Sequence, residues 1–152
     1  MHMKKQKKLD EFQGWLQFLT RIEDLDWSKP LEEGKWNLHE VVSHMYGWDE
    51  YFLEAAILPI SADRPLTLQH LDFDAFNAEA VAKGRAMTKE ELIQRSRQVR
   101  LSIIEEIGSH DADKFDREYT DAEGKPFAVS VYLKDFLWHD RHHMKQIEQR
   151  AL

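Results

Sequence analysis

Apolar residues recur every three or four positions along most of the chain, the spacing that gives a helix one buried face. Leu9, Phe12, Leu16, Leu19 and Ile22 mark a first helix over residues 5–24, and Pro30 and Gly34 break the chain after it. Asn37, with Glu40 three residues on, makes a capping box for a second helix over residues 37–57. Its stripe includes Leu38, Val41, Met45, Trp48 and Phe52, and Pro59 is expected to end it. Residues 60–70 read as loop, and residues 71–83 as a shorter helix interrupted near Gly84. Thr88 and Glu91 form a second capping box for a helix over residues 88–107, and Gly108 falls where a left-handed closing residue is expected. Residues 111–125 are polar and turn-like, and a last helix over residues 129–149 carries Tyr132, Leu133, Phe136 and Ile147 on its apolar side. No segment longer than a few residues alternates with period two, so no sheet is expected.

The pattern predicts an all-α fold, a four-helix bundle forming one domain over residues 1–152. The long connection between helices two and three is a candidate crossover, so a simple up-down-up-down order is not assumed.

Composition narrows the chemistry. The chain has no cysteine, which excludes disulfides, thiolate metal sites and a cysteine nucleophile, and leaves histidine for a transition metal. A net charge of -7 argues against nucleic acid as a partner, and the one basic cluster, Lys4, Lys5, Lys7 and Lys8, sits at the N-terminus. No apolar run approaches a membrane span, and MHMKKQKKLDEF has no signal-peptide core, so a cytoplasmic location is expected.

Three of the eight histidines stand out by position. His139 and His143 are one turn apart and only about 40° apart around the last helix. His44 lies between Val41 and Trp48, beside the apolar stripe of the second helix. An i, i+4 pair chelates a metal naturally, and a third imidazole from a facing helix completes a set that leaves coordination positions open. Zinc, nickel, iron and manganese all suit such ligands. The competing reading is three polar groups beside a core. His39 should be exposed, His142 should tilt away from the core, and His2, His70 and His110 lie in ends or loops and look incidental.

Two stretches carry a family resemblance. Trp36-Asn37-Leu38-His39-Glu40-Val41-Val42-Ser43-His44 resembles the second-helix motif of the DinB/YfiT-like metalloproteins. Trp138-His139-Asp140-Arg141-His142-His143-Met144-Lys145-Gln146-Ile147 resembles their last-helix HxxxH motif with its trailing Gln-Ile, and Phe76-Asn77-Ala78 also fits. The resemblance implies a four-helix bundle, often a homodimer, with a divalent metal on His44, His139 and His143. It also implies a small-molecule substrate, and in some members a low-molecular-weight thiol such as bacillithiol or mycothiol.

The leading expectation is therefore a metal-dependent enzyme transferring a small thiol to an electrophile, the thiol arriving on the co-substrate. One alternative is a hydrolase activating water at the metal, with Asp135, Asp140 or Asp49 as base, although an acid on a helix is first of all expected on a solvated face. The other is a non-catalytic, stress-related metal- or ligand-binding protein, in which Trp36, Trp48, Trp138, Tyr51 and Phe76 wall a pocket. Leu53 and Leu137, read as outer-face apolar residues, lend the dimer weak support.

Overall fold

The computed structural model describes residues 3–152, so His2 lies outside the described residues. The first predicted helix is divided into α1 (Met3–Phe12) and α2 (Gly14–Ile22). The division has a local cause. At Gln13 the ladder tightens, Leu16 N–H donating to the Gln13 carbonyl at 3.0 Å, and the Phe12 carbonyl is taken instead by the buried Arg100 side chain at 3.0 Å.

Helix α3 (Leu38–Phe52) begins with the predicted capping box intact: Glu40 N–H donates to Asn37 Oδ1 at 2.8 Å, and Asn37 N–H donates to Glu40 Oε1 at 3.0 Å. Pro59 does not end this helix. A π-helical turn (Leu53–Ile57) follows, and α4 (Leu58–Ser61) continues through the proline. Pro59 has no N–H for the Ala55 carbonyl, and the N–H of Thr67 fills that place at 3.0 Å.

Helix α5 spans Phe73–Arg85 and is not interrupted at Gly84. A Cβ at Gly84 would fall 1.7 Å from Ser43 Oγ, and one at Gly47 would fall 2.7 Å from the Ala80 Cβ. The two glycines thus let α5 lie directly against α3. Helix α6 (Lys89–Ser109) is capped by Thr88, which accepts from Glu91 N–H at 3.1 Å. Only half of that box forms, because the Glu91 carboxylate pairs with Arg95. Gly108 stays inside α6 and has no positive φ, and the helix closes at His110 with extended backbone. The short α7 (Ala112–Asp116) leads to a hairpin of β1 (Tyr119–Thr120) and β2 (Pro126–Phe127), turned at Gly124 with φ of 81°. This hairpin is the β ladder that the periodicity missed, its strands being too short to alternate visibly. Helix α8 (Val129–Ala151) completes the chain.

Contacts between the helices give their directions. His44 meets His139 and His143, while Phe52 meets Phe136 and Tyr132, so α3 and α8 are antiparallel. Asp49 meets Arg100 and Tyr46 meets Arg95, so α3 and α6 run the same way. Lys5 reaches the end of α6 while Thr20 meets Arg97, so the α1–α2 pair opposes α6. The order is up-down-down-up, a four-helix bundle with one crossover between α3 and α6.

Two buried clusters fill the bundle. One gathers Phe12, Ile57, Ile103, Phe115, Val129 and Leu133, and the other Trp15, Leu19, Leu38, Met45, Leu92 and Ile147. Leu137 is buried and Leu53 packs against both clusters, so neither offers the outer apolar face read from the sequence. Among the described residues no helix is long and apolar enough to cross a membrane.

Candidate metal centre

Antiparallel α3 and α8 bring His44, His139 and His143 together between them. Each offers one nitrogen, and the three nitrogens lie within 4.8 Å of one another. His44 Nε2 stands 3.1 Å from His139 Nε2, and the ring centroids are 4.6 to 5.1 Å apart. Two nitrogens bound to one ion at about 2.1 Å stand roughly 3.0 to 3.4 Å apart, for octahedral or tetrahedral angles. The observed pair fits that spacing.

Hydrogen bonds fix which nitrogen faces inward. Trp48 Nε1–H can only donate, and it donates to Asn77 Oδ1 at 2.8 Å. The same oxygen lies 2.8 Å from His44 Nδ1, so that nitrogen must carry the proton. His44 Nε2 then presents a lone pair to the cluster, the form a metal requires. His143 Nδ1 faces Gln146 Oε1 at 3.2 Å, which leaves its Nε2 inward in the same way. Asn77 reaches the site because α5 rides close on α3. Asn77 and Gln146 lie in the segments that carry the family resemblance, but residue type and spacing alone assign neither a role.

Burial keeps all three imidazoles neutral. It lowers His44, takes His139 down to about 3 with help from the neighbouring histidines, and takes His143 to about 4. Three neutral imidazoles, two of them oriented by hydrogen bonds, suit a divalent transition ion, and among the described residues no carboxylate joins them.

The acids read as candidate bases are placed otherwise. Asp49 and Asp140 are 2% exposed, and both grip Arg100, which is 1% exposed. Arg100 Nε and Nη2 donate to Asp49 at 2.9 and 3.2 Å; Nη1 and Nη2 donate to Asp140 at 2.8 and 3.1 Å. With the Phe12 carbonyl, all five guanidinium N–H groups are used. Burial pushes both carboxyls up, Asp140 to about 6, against the pull of Arg100. The expectation of solvated faces therefore fails for Asp49 and Asp140, since the core pairs them through a cation from a third helix. Asp135 is exposed, as expected, and hydrogen-bonds no imidazole.

Other histidines also depart from expectation. His39 is half-buried, its Nε2–H donating to the Gly84 carbonyl at 2.7 Å, because α5 covers that side of α3. His110 is 3% exposed, with Nε2 paired to Ser61 Oγ at 2.7 Å. His142 is exposed and stacks on Trp138, itself 65% exposed. Trp36 packs 5.0 Å from the His44 ring, and Phe76 packs 4.1 Å from Trp48.

A cleft of about 500 Å³ lies between α3, α8, residues 68–71 and the hairpin, and none of the three histidines lines it. Trp48, Tyr51 and Phe52 line it from α3, and Tyr132, Asp135 and Phe136 from α8. Phe136 lies 5.3 Å from the His139 ring, so the cleft and the cluster adjoin.

The fold has known relatives. Among solved structures, the fold superposes on YfiT from Bacillus subtilis, a probable metal-dependent hydrolase with an unusual four-helix bundle topology. The TM-score is 0.77 at 12% identity, over 98% of this chain and 87% of that one. It also superposes on a mycothiol-dependent maleylpyruvate isomerase, with a TM-score of 0.72 at 13% identity, over 93% of this chain and 60% of that one. At such identities the likeness concerns the fold alone. Comparison with curated protein sequences gave no significant match. The family model of the DinB superfamily matches residues 11–147. The chain belongs to the DinB superfamily.

Proposed function

We propose that this protein is a metal-dependent enzyme acting on a small molecule, with a divalent ion held by His44, His139 and His143. The observation that carries the reading is the convergence of three neutral imidazoles between α3 and α8, next to an aromatic cleft whose wall residue Phe136 packs against His139. A divalent ion there would favour the thiolate of a bound thiol and polarise an electrophile. The chain's own residues supply the rest. Asn77 and Gln146 hold His44 and His143 in the ligating tautomer. The Asp49–Arg100–Asp140 cluster ties α3 to α8 beside the ligands, and the aromatic walls exclude water from the bound substrate.

Transfer of a small thiol to an electrophile is the reaction favoured. The thiol comes with the co-substrate in a cysteine-free chain, and a thiolate attacks without a protein base. One structural relative uses mycothiol, which is consistent with this reading. Hydrolysis, the activity ascribed to the other relative, retains one of its three candidate bases, Asp135, since Asp49 and Asp140 are committed to Arg100. The test is loss of thiol with a bimane-type electrophile, with and without added metal. Metal-dependent thiol consumption supports transfer. Ester or amide turnover without thiol supports hydrolysis, and neither activity with any metal contradicts an enzymatic role.

A further inference from the structure

The cleft beside the histidines has a composition that selects a ligand. Aromatic rings enter it from several elements: Trp48 and Tyr51 from α3, Phe73 from α5, Phe127 from β2, and Tyr132 and Phe136 from α8, while residues 68–71 close another side. Its volume of about 500 Å³ lies inside the range of roughly 300–1,000 Å³ typical of small-molecule sites. Phe73 is 60% exposed at its edge, an apolar ring presented to solvent where an entering molecule would first meet the protein.

The charges at the rim are unequal. Glu118, Asp121 and Asp135 line the cleft, and Lys125 is the single lysine or arginine among the lining residues. Asp121 is occupied in the hairpin turn, where its Oδ1 accepts the N–H groups of Glu123 and Lys125 at 2.8 and 2.9 Å. The carboxylates of Glu118 and Asp135 are exposed and make no ion pair or hydrogen bond within the described residues. Asp135 lies one helical turn before His139 on α8, and Glu118 approaches from the segment leading into β1. Aromatic faces attract a cation through their π-electrons, and the carboxylates add to that attraction. An anion in the same place meets both as repulsion.

We propose that the cleft binds a flat, apolar molecule bearing a positive charge, its body among the aromatic walls and its cationic group at Glu118 and Asp135. The proposal deepens the enzymatic reading by naming the class of electrophile, and it rests on that reading only for the reaction. It places the apolar end of the molecule at Phe136, whose ring packs against His139, and the charged end toward solvent.

Three probes of nearly equal shape test it: 2-naphthylmethylammonium, 2-naphthylmethanol and 2-naphthoate. Each is titrated into the full chain with excess chelator, so that no probe is held by metal, and the Trp48 indole N–H signal is followed by NMR. That signal is assigned with Trp48→Phe. The ammonium probe should bind about tenfold more tightly than the carboxylate, with the alcohol between them. In Glu118→Gln/Asp135→Asn the ammonium and alcohol should come within about twofold of each other. Equal or tighter binding of the carboxylate overturns the proposal. So does a preference that survives the double substitution, an unmoved Trp48 signal, or no binding of any probe at millimolar concentration. Metal content and thiol turnover, measured on the same preparation before chelation, report on the enzymatic reading separately.

Discussion

Asn77 offers a severe test of how the centre is built, because it contributes no ligand. Its Oδ1 accepts two hydrogen bonds of 2.8 Å, from His44 Nδ1 and from Trp48 Nε1. Replacing Asn77 by Ala removes both at once. The His44 ring then loses the partner that keeps its proton on Nδ1, so the lone pair at Nε2 is no longer held toward the cluster. Removing such an orienting partner weakens metal affinity by about 10- to 100-fold, or roughly 1.4–2.8 kcal/mol. The half-buried indole N–H of Trp48 is left unpaired as well, at about 1–3 kcal/mol of folding stability. Asn77→Asp keeps an acceptor oxygen facing both donors and should bind metal nearly as tightly as the natural protein. Competition with a chromogenic zinc chelator measures affinity, and urea unfolding measures stability. If Asn77→Ala binds within twofold of the natural protein, or Asn77→Asp is as weak as Asn77→Ala, the tautomer argument is wrong.

Four further outcomes are expected. Arg100→Met leaves two buried carboxylates uncompensated and should lower stability by about 3–5 kcal/mol in urea unfolding, and adding Asp49→Asn and Asp140→Asn should recover a measurable part. Gly84→Ala forces a Cβ against Ser43, 1.7 Å from its Oγ, and should cost about 1–3 kcal/mol while weakening metal binding, because Asn77 moves with α5. Burial lowers the His110 imidazole below its ordinary value, so its contribution is present above about pH 6.5 and is lost as pH falls below it. His110→Gln should therefore flatten the fall in stability between pH 7 and 5, by at most about 1.4 kcal/mol per pH unit, in parallel thermal melts of both proteins. The homodimer implied by family resemblance now lacks the support of Leu53 and Leu137, and light scattering at high micromolar concentration checks it by returning twice the chain mass.

Much of this was legible in the sequence because helical periodicity and capping are local. The box at Asn37 and Glu40 forms as the residue types require, and the angular positions of His44, His139 and His143 bring them together once α3 and α8 pair. What failed depended on distant partners. Gln13 breaks the first helix because Arg100, far along the chain, takes the Phe12 carbonyl. Pro59 fails to stop a helix because a π turn intervenes and the Thr67 N–H fills the place that proline cannot. Gly84 reads as a stop but serves as a contact, and Asp49 and Asp140 read as surface acids but meet a buried cation. In each case a tertiary contact outweighed the local rule, and one sequence alone does not show such contacts.

Elemental analysis of purified protein, beside three variants, tests the central claim most directly. After saturation with zinc, nickel or manganese and removal of free ion, the natural chain should hold one ion per polypeptide. His44→Ala and His143→Ala should hold none while keeping the helical far-UV spectrum, and His142→Ala should hold one. Protein that binds none of the three metals contradicts the account, as does a His143→Ala variant that keeps its ion while His142→Ala loses it.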